Sequence, residues 1–328
     1  MSNKPLLIIL LCLFFIGCAP KSDVRFAFER CAPMPVARTS ATCFSYDGKC
    51  YVFGGRNDST NYRNGFLADY WCYDPATDHW QQLPAPPLKA RTKAAAIIVD
   101  NRLYCGMGFN GRINIDSCYL TDWWCCDMTT GDWQRLADFP TTDTNMPVVA
   151  AYEGKIYTLF GTHSGSSRLI YEYNISTDSW SRWEDDWHIA ELGGTTGVQV
   201  EETCYVAGGY FLGMLNDAYA VNLREGSLKK LSPMPDGGRI FASSAMLNNH
   251  LFFFGGRHIG GTVTTEKIYN DIIEYDIPAN RWRYAGELPI AGREQMCAIT
   301  IDNAVFFGLG EDRDLHIHND WYRWICVE

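Results

Sequence analysis

Residues 247–276, LNNHLFFFGGRHIGGTVTTEKIYNDIIEYD, run straight into residues 277–289, IPANRWRYAGELP. The stretch reads as an apolar strand, a Gly-Gly stop, a polar excursion, a second strand, a short turn and a Trp-bearing strand. Moving outward in both directions, the same order recurs. Acidic or amide turns at Asp47-Gly48, Asp100-Asn101, Glu153-Gly154, Glu201-Glu202, Asn248-Asn249 and Asp302-Asn303 lie 53, 53, 48, 47 and 54 residues apart. Each leads into a short apolar run such as CYVF, KIYTLF, HLFFF or AVFF, and each run ends at glycine. Glycine suits a strand end where one backbone crowds another near an axis.

The strand after each glycine carries aromatics before an acidic or amide residue, as in Trp71-Cys72-Tyr73-Asp74. Turns then bring in Trp80, Trp133, Trp180 and Trp282 through the related segments YDPATDHW, CDMTTGDW, YNISTDSW and YDIPANRW. The fourth copy departs, with Val221-Asn222 leading into GSLKKL and no Trp. Short strands broken by turns at this period predict an all-β array. Turn, apolar strand, Gly-Gly, Tyr and Trp together resemble the kelch repeat, over roughly residues 24–328. The resemblance implies one four-stranded blade per copy and a six-bladed β-propeller. The last copy stops at Trp321–Glu328 without a Trp strand, and Val24–Arg30 stands where such a strand would be. The N-terminal strand is therefore expected to complete the last blade and remove an exposed sheet edge.

The formal net charge of −10 argues against nucleic acid as a partner, since phosphates demand basic surfaces. It leaves room for a small acidic ligand held by a local arginine cluster. Leu6–Ile16 is an apolar run too short to span a bilayer but suited to a signal peptide. Phe15-Ile16-Gly17-Cys18 resembles a bacterial lipoprotein cleavage box. That resemblance implies a signal peptide over residues 1–18, lipidation of Cys18 and a single propeller domain over residues 19–328. The expected location is the outer membrane, periplasm or cell surface, with membrane contact through the lipid alone and a monomeric chain; an ordinary cleaved signal is the alternative. Of thirteen Cys, eleven lie beyond the signal, mostly in strand-like runs and without CxxC spacing. They read as small buried hydrophobes, with one or two disulfides left open.

Arg38, Arg91, Arg239 and Arg293 open the innermost strands of four copies, while Asn145 and Gly194 stand near that place in the other two. Inner-strand starts line a propeller's channel mouth. These arginines are either a positive rim for a carboxylate or structural ties to backbone carbonyls. The polar excursions Arg56–Ala68 and Arg257–Asn270 bring Asn57, Asp58, Tyr62, Arg63, His258 and Glu266 to one face. In residues 310–320, GEDRDLHIHND, His316 and His318 alternate, but two histidines without a third ligand give no metal site. No cofactor is expected. Glu311 falls at a channel-facing strand end, where an acid with a raised pKa can act as general base; the alternative is an exposed carboxylate paired with Arg313.

Trp282–Pro289, WRYAGELP, followed by a strand and Gly310-Glu311, is similar to part of the bacterial sialic acid mutarotases, the N-acetylneuraminate epimerases. That resemblance implies interconversion of the anomers of an acidic sugar, with Glu311 as catalytic base and an arginine further on binding the acid. The arginine position falls near Ile317, between His316 and His318, with Arg313 as a substitute. The correspondence requires rotated blade order, as in circularly permuted members; unrotated, the base position falls near Tyr210. Arg38, Arg91, Arg239, Arg293 and Arg313 are then the candidate substrate anchors. The competing reading is a non-catalytic propeller that binds glycan or protein. A copper-radical oxidase, also built on kelch repeats, needs a tyrosyl–cysteine link and two His ligands that the sequence does not offer.

Overall fold

The computed structural model describes residues 25–58, 65–111, 118–142, 146–161, 169–183, 187, 189, 192–260 and 266–327. Six four-stranded antiparallel sheets form the blades of a propeller. Blade one is Thr42–Tyr46, Lys49–Phe53, Tyr70–Asp74 and His79–Leu83; blade two is Ala95–Val99, Arg102–Gly106, Trp123–Asp127 and Trp133–Arg135. Blade three is Val148–Tyr152, Lys155–Leu159, Ile170–Asn174 and Ser179–Arg182. Blade four is Thr196–Val200, Thr203–Ala207, Ala218–Asn222 and Ser227–Lys230. Blade five is Ser243–Leu247, His250–Phe254, Asp271–Asp276 and Arg281–Glu287, with a small hairpin, Arg257–His258 and Lys267–Ile268, rising from its excursion.

Blade six takes Cys297–Ile301, Ala304–Gly308 and Trp321–Val327 from the C-terminus and Arg25–Cys31 from the N-terminus. The closing pair runs in register from Arg25 opposite Val327 to Cys31 opposite Trp321. The expected ring closure is thus present. Phe26 and Phe28 of the closing strand pack on Trp324, with ring centroids 4.9 and 6.0 Å away.

The core lies between the blades. Six apolar clusters sit one at each blade interface, as where Phe252 and Phe254 of blade five meet Val305, Phe307 and Trp324 of blade six. Middle strands are covered on both sides, which is why residues 251–254, LFFF, are continuously apolar and AVFFG is buried throughout. Three of the Trp turns also tie neighbouring blades together. The indole N–H groups of Trp80, Trp180 and Trp282 donate to the carbonyls of Ala32, Ala137 and Ser232 at 2.9, 3.0 and 2.8 Å. In the same turns Asp78, Asp178 and Asn280 accept from Tyr73, Tyr173 and Tyr275 and from the backbone of the preceding blade. All eleven cysteines among the described residues are thiols, and eight of them are buried.

Candidate functional site

The Gly-Gly ends of the blades share one face with the starts of the inner strands, and this face is the mouth of the channel. Just before each inner strand one residue takes a left-handed conformation: Ser40, Lys93, Met146, Gly194, Phe241 and Gln295, with φ between 54° and 67°. Five of the six are not glycine, so each carries strain of about 1–2 kcal/mol. Four main-chain bonds link five of the six in an arc. Lys93 N–H donates to Ser40 at 3.0 Å, Ser40 to Gln295 at 3.3 Å, Gln295 to Phe241 at 3.0 Å and Phe241 to Gly194 at 3.0 Å. From this arc the Lys93 ammonium reaches to 4.5 Å from the centre of the Phe241 ring. Burial lowers the Lys93 pKa to about 8, against the pull of Glu294 and Glu311. A cavity of about 320 Å³ adjoins these residues and the inner strands.

The four arginines expected to form a positive rim face another way. Arg38 and Arg91 each grip an aspartate of their own blade with both terminal nitrogens, Asp69 at 2.8 and 2.7 Å and Asp122 at 2.7 and 2.7 Å. Arg239 holds Asp271 and Arg293 holds Asp320 in the same manner. Each also donates to the carbonyl sixteen residues on, at Gly54, Met107, Gly255 and Leu309. Burial works to raise the Asp69 and Asp122 carboxyls, and the paired arginines overcome it and hold both below the usual range. The four residues are 0–4% exposed. Bidentate pairing uses up the fork that a ligand carboxylate would need, so these arginines are structural clasps.

Their main chains bind the neighbouring blade. The carbonyls of Arg38, Arg91, Arg239 and Arg293 accept from Gly310, Gly55, Gly209 and Gly256. A Cβ at Gly54 would stand 2.5 Å from the Arg91 oxygen, and one at Gly208 would stand 2.3 Å from that of Arg239. Close approach is what those two glycines allow. In blade four the clasp position is Leu192, whose carbonyl takes the Gly161 N–H, rather than the nearby Gly194. Asp217, released from a clasp there, pairs with Lys230. Asn145 lies outside the described residues, as do Tyr62 and Arg63.

The residue after the second glycine is the one each blade presents at the mouth: Arg56, Phe109, Tyr210, Arg257 and Glu311 in blades one, two, four, five and six. Each bridges a residue at the start of the inner strand, Thr39, Thr92, Gly193, Ile240 and Glu294 respectively. Glu311 and Tyr210 therefore occupy equivalent places. Glu311 is 2% exposed and Glu294 1% exposed, and one oxygen of each carboxyl has no hydrogen bond. Arg56 approaches Glu311 at 3.6 Å from blade one, and Arg257 pairs with Glu294 at 3.2 Å from blade five. Arg257 also reaches Glu266 of the loop at 3.2 Å. Burial, with the Glu311 charge, raises Glu294 to about 7 despite Arg257 and Lys93. None of Arg56, Arg257, Glu294 and Glu311 lines the axial cavity. They form a separate polar cluster at the mouth.

Glu311 is therefore buried and faces Arg56, in place of the exposed pairing with Arg313, which sits on the surface of the loop. Ile317 does abut Glu311, but its neighbours turn elsewhere. His318 lies 2.9 Å from Asp312, and His316 is 73% exposed at 3.5 Å from the same carboxylate. Asp312, Asp314 and His316 bring ligand atoms within 4.8 Å of one another, yet Asp312 is occupied in accepting from the backbone of Asp314 and His316. His258 bonds the Gly238 carbonyl at 2.9 Å, outside the cluster. Arg56, Arg257, Glu294 and Lys93 were not singled out from the sequence. The signal was there: Arg56 and Arg257 stand in the same column after glycine as Glu311.

Residues 27–148 match the model of the KLHDC2/KLHL20/DRC7 Kelch-repeats domain. An N-acetylneuraminate epimerase of Haemophilus influenzae is 27% identical over 219 residues, which is 65% of this chain and 51% of that protein. One from Yersinia enterocolitica is 26% identical over 203 residues, 59% of this chain and 45% of its own. Human Kelch repeat and BTB domain-containing protein 2 is 24% identical over 269 residues, 71% of this chain and 40% of its own. The chain thus spans about half the length, or less, of these curated relatives. The solved structure of YjhT superposes with a TM-score of 0.73 at 18% identity, covering 89% of this chain and 95% of that one. The chain folds as a six-bladed β-propeller, matches a kelch-repeat model over residues 27–148, and is similar over part of its length to N-acetylneuraminate epimerases.

Proposed function

We propose that the mouth cluster binds an acidic sugar such as N-acetylneuraminate and interconverts its anomers. One observation carries this reading: at a single rim position two buried carboxylates lie between two arginines from the flanking blades. Arg56 and Arg257 take the anchoring role expected of Arg38, Arg91, Arg239 and Arg293, because the latter four are occupied by aspartates. A carboxylate entering between Arg56 and Arg257 gains charge-assisted bonds. It also sets the anomeric carbon beside Glu311. Glu311 removes the proton of the anomeric hydroxyl, the ring opens, the bond to the carbonyl carbon rotates, and closure on the other face returns the proton. Similarity to epimerases over part of the chain supports the substrate class.

Exchange spectroscopy by NMR, following α to β conversion of N-acetylneuraminate, tests the function. The wild type should accelerate exchange, and Glu311→Gln should lose on the order of 10²–10⁴ of that acceleration. Saturable sugar binding with exchange at the uncatalysed rate would instead establish a non-catalytic binding propeller.

We further propose that the domain is exported and tethered through lipidated Cys18, which lies outside the described residues. Cys31 ends the closing strand on the mouth side, opposite Trp321, so Arg25 begins it at the far end. Labelled palmitate should enter the wild type and not Cys18→Ala; label retained by the variant would sink the tether.

A further inference from the structure

Glu294 is the buried acid that the chemistry above leaves idle. It and Glu311 exchange both main-chain bonds, each N–H donating to the other's carbonyl at 3.1 Å. Residues paired in this way stand about 5.5 Å apart at Cα and send their side chains from the same face of the ladder. The two carboxyls are thus neighbours, nearly excluded from water, and each keeps one oxygen free of hydrogen bonds. Arg257 and, beyond it, Glu266 face Glu294 from blade five, Lys93 and Arg56 act from blades two and one, and Gln295 follows it in the chain. Three cations cannot neutralise the cluster's carboxylates and an incoming ligand carboxylate together. One proton on the pair removes the deficit.

Ring opening of a sugar has two proton demands at once. The anomeric hydroxyl must lose a proton, and the ring oxygen must gain one as its bond to the anomeric carbon breaks. A single carboxylate meets them only in sequence. We propose that Glu294 and Glu311 share one proton and act together, Glu311 as the base at the anomeric hydroxyl and Glu294 as the acid at the ring oxygen. The inference rests on the mutarotase reading.

In opening, Glu311 takes the hydroxyl proton, the electron pair of that O–H forms the carbonyl, the ring carbon–oxygen bond breaks, and its oxygen receives the Glu294 proton. In closing, that hydroxyl attacks the opposite face of the carbonyl and returns its proton to Glu294, while the former carbonyl oxygen recovers the proton held by Glu311. No external reagent is consumed. The tendency of Glu294 to stay protonated up to about pH 7 agrees with its part.

Two measurements on the full chain decide it. In the first, protein carrying ¹³C-carboxyl glutamate is titrated by NMR without sugar. The signal missing from Glu294→Gln should titrate near neutrality, and it should move to lower pH in Glu311→Gln as the like charge is removed. A Glu294 signal that titrates with ordinary carboxylates, or ignores Glu311→Gln, overturns the shared proton. In the second, Glu294→Gln should slow exchange on the order of 10²-fold or more, bind the sugar about as tightly as wild type, and lose the alkaline fall of the wild-type rate above neutrality. Wild-type exchange in that variant overturns the acid role. A wild type that exchanges no acidic sugar sinks the mutarotase reading, while the titration still decides whether the proton is shared.

Discussion

Glu294 stands beside Arg293, and the two show how neighbouring residues can serve opposite ends. The arginine turns outward into a clasp with Asp320, and the glutamate turns into the mouth. Its raised pKa has a consequence for stability. Between about 4.5 and about 7 the folded chain holds a proton that the unfolded chain has released, so stability is lost as pH rises through that window. One pKa unit is about 1.4 kcal/mol, so the penalty at neutral pH is of order 2–3 kcal/mol. Glu294→Gln removes it, and the variant's melting temperature relative to wild type should rise between about pH 4.5 and about pH 8. A difference in melting temperature that stays constant across that range would contradict the burial cost. Glu311 was legible in the sequence through its Gly-Glu context. Glu294 was hidden because it follows a clasp arginine and looks like part of a charged turn.

At the scale of elements, two devices recur at fixed spacing: the clasp within a blade and the Tyr–Trp turn between blades. Both are written in the sequence. The arginine-to-aspartate step is 31, 31, 32 and 27 residues in the four clasped blades. A column of arginines is visible in one sequence, but its orientation is not, since a guanidinium at a strand start can face the channel or its own blade. The aspartates decide it. Arg91→Met would strand Asp122, whose side chain is only 17% exposed. Breaking such a pair by removing one partner costs about 3–5 kcal/mol, and replacing both partners with apolar residues restores most of it. Urea denaturation of Arg91→Met and of Arg91→Met with Asp122→Leu checks this. A double variant as unstable as the single one would refute the clasp. The Tyr–Trp turn is degraded in CDMTTGDW, where Cys126 and Gly131 replace the Tyr and Asp, and in blade four. The interfaces behind blades one, three and five carry the full device.

For the whole molecule, the six-fold period fixed the blade number, and the truncated last copy announced the closure by Arg25–Cys31. What the period could not announce is asymmetry around the mouth. Among the described residues the position after glycine is aromatic in blades two and four but charged in blades five, six and one, so these charges gather on one side of the mouth. That side is assembled from residues more than two hundred positions apart in the chain, Arg56 and Glu311, which meet because the ring closes. The central claim is that this side receives the carboxylate of an acidic sugar. A crystal structure of the full chain soaked with N-acetylneuraminate tests it most directly. The sugar carboxylate should lie within hydrogen-bond distance of Arg56 and Arg257, with the anomeric hydroxyl on Glu311. A sugar bound at the opposite face, or seated on the arginines of the clasps, would contradict the account.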